Sequence, residues 1–320
     1  MAVDYNEKQY LDKEGLKKVF EIIKDSDKKV NSLTNEEIDA LWGEVTEIKL
    51  PDNEIWYKTT DNEPVELTTT DGFGVNFISN EYDETDGYCK IKFDGEVTTI
   101  PGTSLEDGFM TQSTTLTEIS HLPSTIESIG DQFLTYCTGL TSVNLSGLRN
   151  VTSIGNDFLS ECSGLQTLEL SPLSKVTSIG DYFLSSCSGL TSLDLSPLTG
   201  VTSIENYFLW KCSDIQTINL SGLSNVESIG NAFLTYCSGI QTINLSPLSK
   251  VTSIGYGFLL QCTSLKTFII DHPEGVITLP LEKSDTTPDE IYVNDGLLSQ
   301  YQEAVSKWSH KFKPLSEYQI

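Results

Sequence analysis

From Ile126 onward the apolar positions of the chain recur every 25 residues, so that Phe133, Phe158, Phe183, Phe208, Phe233 and Phe258 form one comb. Cys137, Cys162, Cys187, Cys212, Cys237 and Cys262 form a second. A fixed period of this length predicts a solenoid, in which each unit buries its apolar face against its neighbours. In the unit VTSIGNDFLSECSGLQTLELSPLSK, residues 151–175, the recurring positions Val151, Ile154, Phe158, Cys162, Leu165, Leu168, Leu170 and Leu173 are expected to point inward. The LxxLxL segment alternates from Leu168 and predicts one short strand per coil, and VTSI predicts a second on another side. Between them, Asn156 to Cys162 is too short for a free-standing helix and predicts a helical or 3₁₀ turn. Gly155 and Gly164 fall where the chain changes direction, with a positive φ as the expected reason. A degenerate coil at 97–125 keeps Ile100, Phe109, Leu116 and Ile119 on the comb, with a bulging loop before Phe109.

Outside the periodic region the pattern changes. Leu16, Val19, Phe20 and Ile23 share a helical face, and Thr34 with Glu37 forms a capping box before Ile38, Leu41 and Trp42. Residues 44–96 read as antiparallel hairpins, with turns at Asp52-Asn53 and Asp61-Asn62 and with Trp56, Tyr57 and Phe77 available to cover the first coil. Near the other end, Asp295 is the expected cap of a helix whose Leu298, Tyr301, Val305 and Trp308 close the stack. The expected organisation is a helical leader at 1–43, a β-hairpin cap at 44–96, a solenoid of about seven coils at 97–275 and a C-terminal cap at 276–320.

The order C-x-x-L-x-x-L-x-L followed by V-T-S-I-G-x-x-F resembles the BspA-like, treponemal-type leucine-rich repeats of bacterial surface and host-interaction proteins. The likeness extends through EIWYKTTDNEPVEL and FGVNFISNEYDETDGYCKIKFDGEVTTI upstream and IYVNDGLLSQYQEAVSKW downstream, which look like the family's entry and exit segments. This unit is longer than the common family unit and reads SPL or SGL where the first strand closes. The resemblance implies a leucine-rich repeat solenoid, a right-handed β-rich α/β superhelix. It also implies non-enzymatic adhesion or protein recognition, with no cofactor.

Charge narrows the partners. The formal net charge of −26 divides as −13 over residues 1–96, −10 over 97–275 and −3 over the remainder, so no segment is a basic footprint and nucleic acid is excluded as the expected partner. Acidity serves solubility, or a preference for a basic surface or divalent cations. No stretch approaches a transmembrane span, and MAVDYNEKQYLDKEG lacks an apolar signal core, so no membrane insertion is expected. Six cysteines on one inward comb read as a reduced, structural thiol ladder, and Cys89 lacks a rung partner. Only His121, His272 and His310 are histidines, and no HExxH, GxSxG or phosphate-cradling run occurs. The nearest candidate for nucleophilic chemistry, Cys262 with Asp271 and His272, is set aside because Cys262 is expected to be buried. The hairpin residues Asp83, Glu84 and Asp86 read as a calcium contact or a polar turn. Four N-x-S/T matches, at Asn144, Asn150, Asn219 and Asn244, follow from the repeat itself.

Binding residues are sought where the coils differ. The variable positions beside the Phe-Leu pair place Tyr136, Tyr182, Tyr207, Trp210, Tyr236 and Tyr256 on one ridge. The coil at 201–225 departs most, with Glu205 and Asp214 in place of glycines and with Tyr207, Trp210 and Lys211 where neighbours are small and polar. Exposed aromatics are typical interface anchors, and they also serve to cover a solenoid's flank. Tyr207, Trp210 and Lys211, flanked by Tyr182 and Tyr236, are the candidate contact surface. A second candidate is the outward strand face, with Ser142, Thr167, Ser192, Thr217 and Thr242 beside Asn144, Glu169, Asp194, Asn219 and Asn244. There Glu169 and Asp194 stack on adjacent rungs about 5 Å apart, a spacing shared with retaining glycosidases but without a cleft. They read as a solvated pair, a cation site or part of a contact surface for a glycan or extended peptide.

The expected partner is a protein or glycan receptor. The leader is also similar to short N-terminal segments of phage and prophage tail or fibre proteins, which implies a virion appendage with a possible homo-oligomer through residues 1–43. An intracellular inhibitor of a basic partner is a third reading that fits the acidity.

Overall fold

The computed structural model describes residues 50–67, 69–102, 108–272, 275–279 and 288–318. Its contacts divide the chain into Met1–Pro51 and Asp52–Ile320, and the second unit is described here. The leader helices expected at 1–43, and the loop expected before Phe109 at 103–107, lie outside the described residues.

Identical residues stack on identical residues. Ser153–Ile154 pairs in parallel with Ser128–Ile129 on one side and Ser178–Ile179 on the other, Ser facing Ser and Ile facing Ile. Ser203–Ile204 pairs likewise with Ser228–Ile229, and a further bridge joins Ile229 to Ile254. On the second flank Ser192–Asp194 pairs with Thr217–Asn219, and Thr242–Asn244 pairs with Thr267–Ile270. The LxxLxL stretch of 151–175 forms no regular strand, although its inward residues keep their places. Val151, Ile154, Phe158, Cys162, Leu165, Leu170 and Leu173 are buried, and Leu168 packs half-buried against the same core.

The turn expected at Asn156 to Cys162 is neither helical nor 3₁₀. Its φ alternates in sign, positive at Asp157, Leu159 and Glu161, and the same three positions are positive in the coils on either side. The reason lies in the hydrogen bonds. A helix directs every N–H back into its own turn, whereas here the N–H groups of the positive-φ residues turn toward opposite neighbours in alternation, while those of Ser160 and Cys162 stay within the turn. The Asp157 and Glu161 amides donate to the Asp181 and Ser185 carbonyls of the next coil, and the Leu159 amide donates to the Phe133 carbonyl of the previous one. The 3₁₀ turns fall instead at the SGL and SPL corners, at Ser146–Leu148, Ser171–Leu173 and Ser221–Leu223.

Gly155 and Gly164 do not adopt the positive φ expected of them. They are glycine because the coils touch there. A Cβ on Gly155 would lie 2.4 Å from Asp131 Oδ1 and 2.6 Å from the Asp131 amide nitrogen, and one on Gly164 would lie 2.7 Å from the Leu140 carbonyl oxygen.

Through the centre the phenylalanines stack coil on coil, except that Phe208 and Phe233 meet edge to face. Ring centroids are 5.2 Å apart for Phe133 and Phe158, 5.4 Å for Phe158 and Phe183, and 4.9 Å for Phe183 and Phe208, with planes within 24° of parallel. At the N-terminal end Glu54–Thr59 runs antiparallel to both Tyr88–Phe93 and Leu116–His121, and Leu116–His121 then pairs in parallel with Ser142–Val143. One strand thus converts hairpin pairing into solenoid pairing. Tyr57 is fully buried there, its hydroxyl donating to Asn80 and accepting from the Val65 amide. At the C-terminal end Glu290–Val293 and Phe312–Pro314 extend the parallel sheet, and the helix Leu298–Ala304 with the following 3₁₀ segment buries Tyr301, Val305 and Trp308 over the last coil. The cap of that region is Asn294, whose side chain accepts from the Gly296 amide, and not Asp295, whose carboxylate accepts from the Ser316 amide. Among the described residues no helix is long and apolar enough to cross a membrane.

Candidate functional site: an aromatic ridge on the flank

The alternating-φ stretch displays its side chains in columns, because every coil repeats the same backbone. The position before the phenylalanine carries Gln132, Asp157, Tyr182, Tyr207 and Ala232 on successive coils, and the position before the cysteine carries Tyr136, Glu161, Ser186, Lys211 and Tyr236. Between them runs a column of small hydroxyls, Thr135, Ser160, Ser185 and Thr235, all buried. Thr135 and Thr235 donate to the carbonyls of Asp157 and Gly257. Trp210 interrupts this column. An indole cannot fit where a hydroxyl was buried, and it stands half-exposed on the flank.

The rings around it touch. Tyr182 and Tyr207 stack with centroids 4.4 Å apart and planes within 3°. Trp210 meets Tyr207 edge to face at 5.9 Å and Tyr236 at 6.4 Å. The Lys211 ammonium sits 4.0 Å from the centre of the Trp210 ring. Five candidate residues, Tyr182, Tyr207, Trp210, Lys211 and Tyr236, therefore form one contiguous patch. Tyr136 and Tyr256 of the expected ridge are exposed, Tyr256 at 76%. Burial, then the neighbouring Tyr207 and Asp157, push the Tyr182 hydroxyl above its ordinary range. Burial likewise pushes the Asp157 carboxyl up, with Asp131 and Asp181 adding to it against a hydrogen bond from Gln132.

Glu169 and Asp194 stand apart from this patch, on the outward strand face, and are occupied locally. Glu169 Oε1 accepts from the Ser171 amide at 2.8 Å, and Asp194 Oδ1 accepts from the Ser196 amide at 2.9 Å and from the Asn219 side chain at 2.8 Å. Asn144, Asn219 and Asn244 hold the corresponding amides of Ser146, Ser221 and Ser246. The column thus caps the corners of the coils. Asp83 and Asp86 grip Lys90, at 3.0 and 2.5 Å.

The six ladder cysteines are fully buried thiols outside any disulfide. Each Sγ donates to a carbonyl of the preceding coil, as Cys162 does to Leu134 at 3.1 Å and Cys187 to Leu159 at 3.0 Å. Burial pushes the thiols of Cys137, Cys212 and Cys262 up to about 12. Thiolate, the nucleophilic form, is suppressed. Cys262, the candidate nucleophile, accordingly lacks that chemistry.

One functional feature went unread in the sequence. Asp131, Asn156, Asp181, Asn206 and Asn231 form a ladder beside the ridge, in which each side-chain oxygen accepts from the backbone amide of the next member, at 2.7 to 2.9 Å, and the series ends on the Tyr256 amide. The available signal was a short polar residue following Ile-Gly or its equivalent in five successive coils.

The BspA type leucine rich repeat region matches in 6 copies, over residues 103–224 and 173–279. The chain belongs to this family. The BspA-type repeats go with protein binding and surface recognition, and no enzymatic family is indicated. No curated protein matches the chain. Among solved structures, the chain is similar to a T. pallidum leucine-rich repeat protein, with 19% identity and a TM-score of 0.42 over 54% of this chain and 74% of that one. It is similar to a leucine-rich cell surface protein from Faecalibacterium prausnitzii A2-165, with 18% identity and a TM-score of 0.44 over 77% and 70%. A leucine-rich repeat protein from Bacteroides ovatus matches at 17% identity and a TM-score of 0.29 over 68% and 67%.

Proposed function

We propose that this BspA-type protein is a non-enzymatic recognition and adhesion module, a right-handed solenoid of about seven coils, that binds a protein or glycan partner through the flank bearing Trp210. The observation that carries the reading is the break in the buried hydroxyl column. Thr111, Thr135, Ser160, Ser185 and Thr235 are buried at this position, whereas coil 251–275 carries the aliphatic Leu260 there and coil 201–225 carries Trp210, which alone is surrounded by Tyr182, Tyr207, Tyr236 and Lys211. The fold is satisfied by a hydroxyl at this site, so the indole serves something other than the fold. Tryptophan and tyrosine are the residue types that most often dominate binding energy at interfaces.

The test uses variants the fold already tolerates. Tyr207→Ala and Trp210→Thr install the residues that coil 226–250 carries at the same positions, Ala232 and Thr235. The full chain and the double variant are applied to arrays of glycans and of peptides. Ligands held by the natural chain are expected to be lost by the variant, and retention of all of them would overturn the reading.

A further inference from the structure

We propose, resting on the recognition reading above, that the ridge docks a basic segment of a protein partner, with an arginine or lysine side chain on the Trp210 face and further basic side chains meeting Asp157, Glu161 and Asp181.

Three observations carry this. First, the Trp210 face already holds a cation: the Lys211 ammonium lies 4.0 Å from the ring centre, and Lys211 is exposed. Indole faces attract cations through their quadrupole, and a guanidinium, planar and weakly hydrated, stacks on them better than an ammonium. Lys211 occupies the place that a partner's arginine would take. Second, the faces of Tyr182 and Tyr207 are closed against one another, 3° from parallel at 4.4 Å. A sugar needs an open aromatic face to lie on, and the two facing sides of this stack are closed to one. Third, the columns turn from aromatic to acidic along the stack. Asp157 stands one coil before Tyr182 in the same column, Glu161 stands two coils before Lys211 in its own, and Asp181 neighbours Tyr182 in the polar ladder. Lys211 is the single basic residue in these columns.

Two coils span about 10 Å, which is also the advance of about three residues of extended chain. A strand-like segment with basic residues three apart can therefore place one on Trp210 and the next among Asp157, Glu161 and Asp181. The charge of the whole chain, −26, favours the approach of such a segment.

The experiment is a fluorescence-anisotropy titration of the full chain with a labelled peptide carrying arginine at every third residue, beside the same peptide with glutamine in place of arginine. The natural chain is expected to bind the arginine peptide alone, more weakly as salt rises. Trp210→Thr is expected to weaken binding at least about tenfold, the range of interface anchors. Glu161→Gln with Asp181→Asn is expected to weaken it about three- to tenfold, and this pair keeps the ladder, since asparagine serves at the equivalent positions 206 and 231. Lys211→Ala is expected to tighten binding, because it clears the Trp210 face. Absence of binding by the natural chain, or affinity indifferent to Trp210→Thr, would overturn the inference, as would weakening by Lys211→Ala. Should array ligands of another kind, such as a glycan, depend on Tyr207 and Trp210 while the arginine peptide does not bind, this inference falls and the recognition reading stands.

Discussion

A ladder cysteine is at once a spacer and a donor. Its side chain is small enough for the coils to close, and its Sγ donates to a carbonyl of the preceding coil, as from Cys212 to Leu184 at 3.1 Å. The energetic consequence appears at alkaline pH. An unfolded cysteine ionises near pH 8.5, whereas Cys137, Cys212 and Cys262 are held up to about 12 by burial. Above pH 8.5 the folded chain therefore keeps protons that the unfolded chain releases. The stabilisation is complete below about pH 8.5 and is lost as pH rises toward 12, by about 1.4 kcal/mol per pH unit for each cysteine. Urea midpoints are expected to be level from pH 6 to 8 and to fall beyond. A Cys137→Ser/Cys212→Ser chain should show a shallower fall, and an equal slope would contradict the assignment. In the native state the six thiols should also resist a thiol reagent until the chain unfolds.

At the scale of the element, the stretch beside the phenylalanine gives each coil its hold on both neighbours. Apart from Gly257, its positive-φ residues are not glycines, and each L-residue in that conformation costs roughly 1–2 kcal/mol. Glu161, at φ 61° and on the surface, is a site where glycine relieves that cost. Glu161→Gly is expected to raise stability by up to about 1 kcal/mol. Gly155→Ala is expected to lower it by about 1–3 kcal/mol, since the new Cβ meets backbone of the previous coil. Chemical denaturation of both variants checks the pair, and the opposite signs would contradict the geometry described. The comb of Phe and Cys was legible in the sequence because burial forces identical residues into register. The backbone of this stretch was not. A run such as NDFLSEC has a length and composition that suit a helical turn, and what decides against one is the neighbouring coil, which offers carbonyls on both sides. Gly155 misled for the same reason: its demand is space between coils rather than torsion within one. The Asp/Asn ladder escaped notice because a polar residue after glycine also suits an isolated turn.

For the whole molecule, repetition makes exceptions informative. A stack of equal coils has a uniform flank wherever its residues serve the stack alone, and the outward strand face fits that description, since Asn144, Glu169, Asp194, Asn219 and Asn244 each hold a backbone amide. The ridge breaks uniformity over coils 176–250, where residues chosen for size replace residues chosen for fit. Its aromatic members were legible because the coils could be aligned and their differences read off, and the contact between Tyr182 and Tyr207 followed from the period. That Lys211 would lie on Trp210 was not legible, because a lysine stem can turn either way along the flank. The two surfaces make opposite predictions for one measurement: the affinity of the tightest array ligand in solution for the natural chain, for Tyr207→Ala/Trp210→Thr, and for Thr167→Ala/Thr217→Ala on the strand face. The account predicts a loss of at least about tenfold for the ridge variant and none for the strand-face variant; an unchanged ridge variant beside a weakened strand-face variant would contradict it.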